Sequence, residues 1–399
     1  MTIRRGGHAP RVGMRRARKP SASVPWGVHQ PGNVSSPTKY SWKWSAMLSP
    51  SGDFEHTPQV IAYLRRLYAD ERREFACRAT TPDGVSQWRS RARIALRRML
   101  GLERMQAELE AHKPTVTLQP PQDRDDHTIC LGHIETEPDY RVPFYLLQPH
   151  GAGPFPLAVM PHGHEARGHE TYAGVYQSDK HRQQTQQRQA DVGLQAVRRG
   201  FVAITVNTRG FEPTCTADLN NRHNGRDCLS HATHCFMAGR TATGERVWDV
   251  ERIIDWASDM PQVDAARILV MGNSGGGMVT TYAAACDERV TVAVPSCSFC
   301  TYVGENGLAH HCDCNLVPGI YRFGEFSDVA GLIAPRHLLI VNGRQDDLFP
   351  LSEVDRAVGA VAQIYNAAGR PERFAHRYGE AGHRFYSDLM WPFVAEAMA

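Results

Sequence analysis

Apolar residues recur along this chain with two different periods, and the change from one to the other divides it. Between residues 57 and 101 the spacing is helical. Ile61, Leu64, Tyr68 and Phe75 mark one stretch, and Trp88, Leu96 and Met99 mark a second, from about 86 to 100. Thr57-Pro58 supplies an N-cap followed by proline in the first turn, and Gly101 a C-terminal stop. Arg65, Arg66, Glu71, Arg72 and Arg73 read as the solvated face of the first helix. From about residue 115 the pattern shifts to short β-rich runs. Those over 115–118, 128–134 and 142–147, with turn residues between them, predict a meander. Apolar runs over 157–160, 201–206, 268–271, 291–294 and 337–341 then alternate with helical stretches over 190–199, 247–258, 278–286 and 351–367. This alternation predicts right-handed crossovers and an α/β architecture. The sheet is mostly parallel but mixed, with helices on its flanks, the meander at its antiparallel edge and a helical N-terminal extension. No internal repeat is present.

Composition adds little to this except at the start of the chain. Hydrophobic residues make up 42% and charged ones 22% of the 399, as in soluble globular proteins. No run approaches eighteen apolar residues, so no membrane partner is expected. The net charge of +3 conceals an asymmetry: residues 1–52 hold nine Lys and Arg and no acid, leaving 36 basic against 42 acidic residues in the body. This Pro-, Gly- and Ser-rich tail reads as a disordered, solvated extension. It has no apolar signal region, and its prolines argue against the amphipathic helix of an organellar transit peptide. A charge-driven contact with nucleic acid or anionic lipid is the competing reading, but no nucleic-acid partner is expected. Ten cysteines are too few for a disulfide scaffold, and reduced thiols in a cytoplasmic protein are the expectation.

The chemistry is concentrated at Gly272-Asn273-Ser274-Gly275-Gly276, between the 268–271 strand and an Ala-rich helix. Gly-x-Ser-x-Gly in a strand–turn–helix context forms a sharp turn that projects the serine hydroxyl. A serine nucleophile needs a base, an acid to orient that base, and donors for an oxyanion. Asp346 lies in the loop leaving the 337–341 strand and is the expected acid, with Asp347 as the fallback because spacing does not separate adjacent residues. His383, in Gly382-His383-Arg384 before a terminal helix, is the expected base. The order Ser, Asp, His is the one this turn type implies. The oxyanion donors expected are the N–H groups of Gly275 and of His164, in Pro161-His162-Gly163-His164. His162 reads as loop scaffold and His164 as pocket wall.

At these residues the chain resembles the α/β-hydrolases, more narrowly the bacterial dienelactone-hydrolase and acetyl-xylan-esterase-like esterases. The likeness spans 57–399 and extends to Asn207-Thr-Arg-Gly-Phe211, Arg246-Val-Trp-Asp249, the 261–268 stretch and Ala334-Pro-Arg-His337. It implies an α/β-hydrolase fold over 113–399, with a helical extension over 53–112 packed on it. The activity implied is that of a serine carboxylesterase without cofactor, acting on short-acyl, acetyl-type esters, often of sugars. Asn207 stands where relatives often carry Asp, and Pro161 interrupts the usual run into His-Gly. The alternatives are a serine peptidase of the prolyl-oligopeptidase type, disfavoured by the lack of propeller repeats, and a hydrolase-fold binding protein with an idle triad. Ligand-type residues also cluster at Cys228, His231, His234 and Cys235, and at Cys297, Cys300, His310, His311, Cys312 and Cys314. The two clusters could together make one metal site, but their spacings match no standard zinc finger. They are expected to line or brace the substrate cleft, with no metal.

Overall fold

The computed structural model describes residues 58–69, 73–216, 227–304, 307–309 and 312–399. The expectations for the basic tail, the Thr57 cap, Glu71 and Arg72, and His310 and His311 fall outside these residues. The residues from Pro58 to Ala399 form one compact unit.

The N-terminal helices are α1 (Pro58–Leu67), α2 (Pro82–Leu100) and α3 (Leu102–Glu108). Thr81 caps α2 by accepting the Gly84 N–H at 3.3 Å, and Gly101 closes it at φ 85°. The helix therefore begins four residues before the expected start. Pro82-Asp83-Gly84 has turn composition, yet it serves as a first turn once Thr81 takes the free amide. The strands of the early half are β1 (Thr115–Leu118), β2 (Gln122–Asp123), β3 (His127–Glu137), β4 (Tyr140–Pro149) and β5 (Phe155–Pro161). Then come α4 (Gly168–Ala173), α5 (Asp179–Arg188), α6 (Val192–Val197), β6 (Val202–Val206), α7 (Asp227–Met237) and α8 (Ala242–Ser258). The later half holds β7 (Val263–Asn273), α9 (Gly275–Cys286), β8 (Val292–Ser296) and a two-residue ladder of β9 (Val303–Gly304) with β10 (Gly307–Leu308). It ends with α10 (Ile320–Phe323), α11 (Phe326–Gly331), β11 (His337–Gly343), α12 (Leu351–Ala367), β12 (Phe374–Gly379) and α13 (Ser387–Met398).

Ten strands form one sheet in the order β1-β3-β4-β6-β5-β7-β8-β11-β12, with β2 against β3. Pairings on the β1–β4 side are antiparallel, and those from β6 through β12 are parallel. This is the mixed sheet expected from the sequence. Its central strands are apolar on both faces because each face carries its own helical layer. Leu157, Val159, Ile204, Ile268 and Val270 join the core that includes α2, α8, α9 and α12. Ala158, Met160, Ala203, Leu269 and Met271 join the one that includes α4, α6 and α13. Through Val85, Trp88, Leu96 and Leu100, α2 belongs to the main core. β5 lies between β6 and β7, so the chain runs to one side of it and returns on the other. The carboxyl ends of β5 and β7 are therefore neighbours at the point where strand order reverses, the position at which open α/β sheets form a crevice.

Candidate active site

Both strands end in loops that enter this crevice. β7 breaks at Ser274, which adopts φ 57° and ψ −124° before α9 begins at Gly275. A positive φ at a residue with a side chain costs energy and persists only where the surroundings enforce it. Here two glycines do so. A Cβ on Gly276 would lie 2.1 Å from the Pro161 carbonyl oxygen, and one on Gly163 would lie 2.6 Å from that of Asn273 and 3.0 Å from Ser274 Cβ. The β5 loop and the turn are thus packed backbone to backbone. Gly275 is the first residue of α9, so its N–H has no acceptor within the helix. The His164 imidazole lies over the same residue, its Cε1 and Nδ1 each 3.2 Å from where a Gly275 Cβ would be.

The β5 loop is held from behind. Thr208 donates its N–H to His162 Nε2 at 3.0 Å and its hydroxyl to the His162 carbonyl at 2.8 Å. His162 Nδ1 meets the Gly163 carbonyl at 2.9 Å. With Nε2 accepting, the ring proton sits on Nδ1. Burial, aided by the neighbouring His169, pushes this histidine down to about 3 and keeps it neutral. Tyr172, on α4, is fully packed beneath the turn. Its hydroxyl accepts the Asn273 N–H at 3.3 Å and also hydrogen-bonds the Gly163 backbone. It joins the two loops, and sequence reading missed it because α4 is a six-residue helix in a polar stretch without a periodic signal.

The acid and histidine come from the loops after β11 and β12. Asp346 Oδ2 accepts from His383 Nδ1 at 2.8 Å, and Asp346 Oδ1 accepts the Leu348 N–H at 3.1 Å. The Asp346 side chain is 1% exposed, whereas Asp347 faces solvent. The turn thus separates the two candidates that the sequence left adjacent. Ser274, His383, Gly275 and His164 line one cavity of about 420 Å³, whose apolar wall includes Met278, Phe349 and Phe385. Close to the acid and histidine, the buried Cys297 thiol donates to the Arg384 carbonyl at 3.3 Å. Burial and the Asp346 charge push it up to about 12, so it stays a neutral thiol.

Below the loops runs a buried ionic network. Arg209 binds both oxygens of Asp249 at 2.6 Å, Glu137 at 2.5 Å and Glu245 at 3.3 Å. Arg209 and Asp249 belong to the two motifs around 207–211 and 246–249, which thereby acquire a structural account. Asn207 donates to the Glu212 carbonyl at 2.9 Å and accepts from Thr214 at 2.6 Å, shaping the loop that follows β6.

The two Cys/His clusters do not stay together as the sequence grouped them. His231 pairs with Glu245 at 3.1 Å, His234 is exposed, and Cys300 packs with Phe349 and Val354. Cys228, Cys312 and Cys314 instead converge with His164, and of these His164 and Cys312 line the cavity.

The sheet order and the strained serine turn define the class of architecture: the chain has an α/β-hydrolase fold. Within that class, residues 181–304 match the model of the acetyl xylan esterase (AXE1) family. A candidate acetyl xylan esterase of Bacteroides fragilis NCTC 9343, BF1801, superposes with a TM-score of 0.66 at 17% identity, covering 88% of this chain and 97% of that one. Methylesterase BT1017 gives 0.60 at 20% identity, over 85% and 67% of the two chains. A glucuronoyl esterase from Solibacter usitatus gives 0.51 at 16%, over 72% and 86%. In sequence, the candidate hydrolase YtaP of Bacillus subtilis (strain 168) is 26% identical over 151 residues, 37% of this chain. The chain spans half the length of that relative. No helix among the described residues is long and apolar enough to cross a membrane.

Proposed function

We propose that this protein is a serine carboxylesterase that removes short, acetyl-type acyl groups from a small-molecule or saccharide ester. The observation that carries this reading is Ser274 on its strained turn, facing the same cavity as a histidine whose Nδ1 is held 2.8 Å from a buried aspartate. Occupying Nδ1 leaves His383 Nε2 to take the Ser274 proton as the hydroxyl attacks the ester carbonyl. The Gly275 and His164 N–H groups receive the oxyanion, His383 returns the proton to the leaving alcohol, and water releases the acyl group by the same steps. Asp346 fixes the tautomer throughout. The match to the acetyl xylan esterase family over 181–304 supports an ester and a sugar alcohol. The modest, partly apolar cavity supports a small acyl group.

The test is a panel of nitrophenyl esters of increasing acyl length beside acetylated xylo-oligosaccharides and methyl uronates. The highest kcat/KM is expected for acetyl esters, with a steep decline as the acyl chain lengthens. Preference for peptide amides, or for methyl esters over acetyl ones, would refute the substrate class.

A further inference from the structure

We propose that His164, Cys228, Cys312 and Cys314 form a tetrahedral site for one zinc-like divalent cation. Its role is to lock the β5 loop onto the serine turn. The ligand atoms of these four residues all lie within 4.8 Å of one another, and His164 Nε2 is 3.4 Å from Cys314 Sγ. With Zn–S bonds of about 2.3 Å and Zn–N bonds of about 2.0 Å, a tetrahedral site has N···S edges of about 3.6 Å. The His164–Cys314 separation is already close to such an edge, and the 4.8 Å bound on the others leaves at most about 1 Å to close around an ion. Three thiolates and an imidazole are a ligand set that favours zinc over the hard, oxygen-seeking cations.

The set is assembled from three separate places in the chain. His164 follows β5, Cys228 is in the first turn of α7, and Cys312 and Cys314 flank Asp313 at a short turn of 3₁₀ helix. Buried thiols pack as small hydrophobes in many cores, and Cys228, Cys235 and Cys314 do share a small cluster apart from the two main ones. Hydrophobic packing does not explain why an imidazole nitrogen points at the sulfurs. Nor does it explain Arg246. This guanidinium is buried, with Nη1 3.4 Å from Cys314 Sγ and 3.0 Å from Asn315 Oδ1. No carboxylate among the described residues pairs with it, and its Nη2 has no hydrogen-bond partner among them. A buried cation beside neutral thiols would be uncompensated. Beside a divalent ion held by three thiolates, whose net charge is −1, it is balanced.

The neighbouring group of His231, Cys235 and Glu245 is a poorer candidate, because Glu245 is already bound by Arg209 and Arg240. All four positions of the proposed site are filled by protein, so no place remains for a catalytic water and the role is structural. Its consequence follows from the His164 ring, which rests on Gly275. Tying that ring to α7 and to the 312–314 turn immobilises the β5 loop opposite Ser274. The site itself stands independently of the esterase reading; only its effect on turnover rests on that reading.

The test uses the untagged full chain, purified with reductant and without chelator, and analysed for elements. About one zinc per chain is expected in the native protein and in Ser274→Ala, which separates this site from the acyl chemistry. Cys235→Ser, outside the ligand set, should retain the ion, while Cys228→Ser and Cys312→Ser should fall below about a tenth of an equivalent. Should those two variants fail to fold, native protein exchanged with cobalt(II) decides instead. Thiolate-to-cobalt charge transfer together with intense tetrahedral ligand-field bands supports the site. A folded, fully reduced native protein that holds no zinc and gives no such cobalt spectrum would overturn the proposal. A disulfide joining any two of the three cysteines in freshly isolated protein would overturn it as well.

Discussion

Three residues on three loops bear most of the proposed chemistry, and their separate contributions can be measured. Ser274→Ala removes the nucleophile but leaves the turn backbone in place. The expected loss is on the order of 10⁶ in kcat with an unchanged melting temperature. Retention of a few per cent of activity would show that another group attacks the ester. Asp346→Asn and Asp347→Asn distinguish the buried acid from its exposed neighbour. The first disrupts the bond that fixes the His383 tautomer and should lower kcat by about 10⁴, whereas the second should stay within a few fold of native. Equal losses would mean that the turn rearranges in solution.

At the scale of elements, the short helix α11 is set by a reciprocal cap. Glu325 accepts the Phe326 N–H at 2.8 Å and that of Tyr302, while Asp328 accepts the Glu325 N–H at 2.7 Å. Burial pushes the Glu325 carboxyl up to about 7 from 4.5, against the lowering effect of those two amides. Between these values the folded chain keeps a proton that the unfolded chain has released. Stability therefore declines as pH rises from 4.5 to about 7 and levels off above that. Glu325→Gln keeps an acceptor and cannot ionise. Denaturant curves over this window should show native protein losing up to about 3 kcal/mol relative to the variant. Parallel pH profiles would mean that the carboxyl titrates normally. Element boundaries also show what the chain's pattern conceals. β12 consists of half-buried polar and apolar residues, Phe374-Ala-His-Arg-Tyr, at the sheet edge and offers no apolar run to recognise. α5 is polar on all sides and has no face to create a period, so no helix is predicted there from the sequence. α3 is one short helix that follows a stop signal directly.

For the molecule as a whole, the Arg209 network joins β3, the loop after β6 and α8 beneath the site. Arg209 contacts Glu137, Thr136, Asp249 and Glu245, and Arg240 reaches Glu137 and Glu245 from the end of α7. Arg209→Ala would leave three carboxylates buried with a deficit of positive charge. A loss of about 3–5 kcal/mol in urea unfolding is expected, larger than for removal of most surface charges. A loss below about 1 kcal/mol would show that water enters and solvates the network.

The sequence by itself determined the alternation of strands and helices, the antiparallel edge, the serine turn and the order of acid and histidine behind it. These are local properties: period, glycine placement and turn chemistry act within a few residues, and the chain carries them in any context. Only the tertiary structure decided which of Asp346 and Asp347 turns inward, because one peptide unit in a tight loop reverses a side chain's direction. It also placed Tyr172 under two loops that are more than a hundred residues apart in the chain. The ligand-type cysteines show the difference most sharply. Along the chain Cys228 neighbours His231 and His234, but His231 pairs with Glu245 and His234 is exposed, and the fold supplies His164 and the 312–314 turn as its partners instead. A contact between distant residues depends on how whole layers pack, and no local pattern records it.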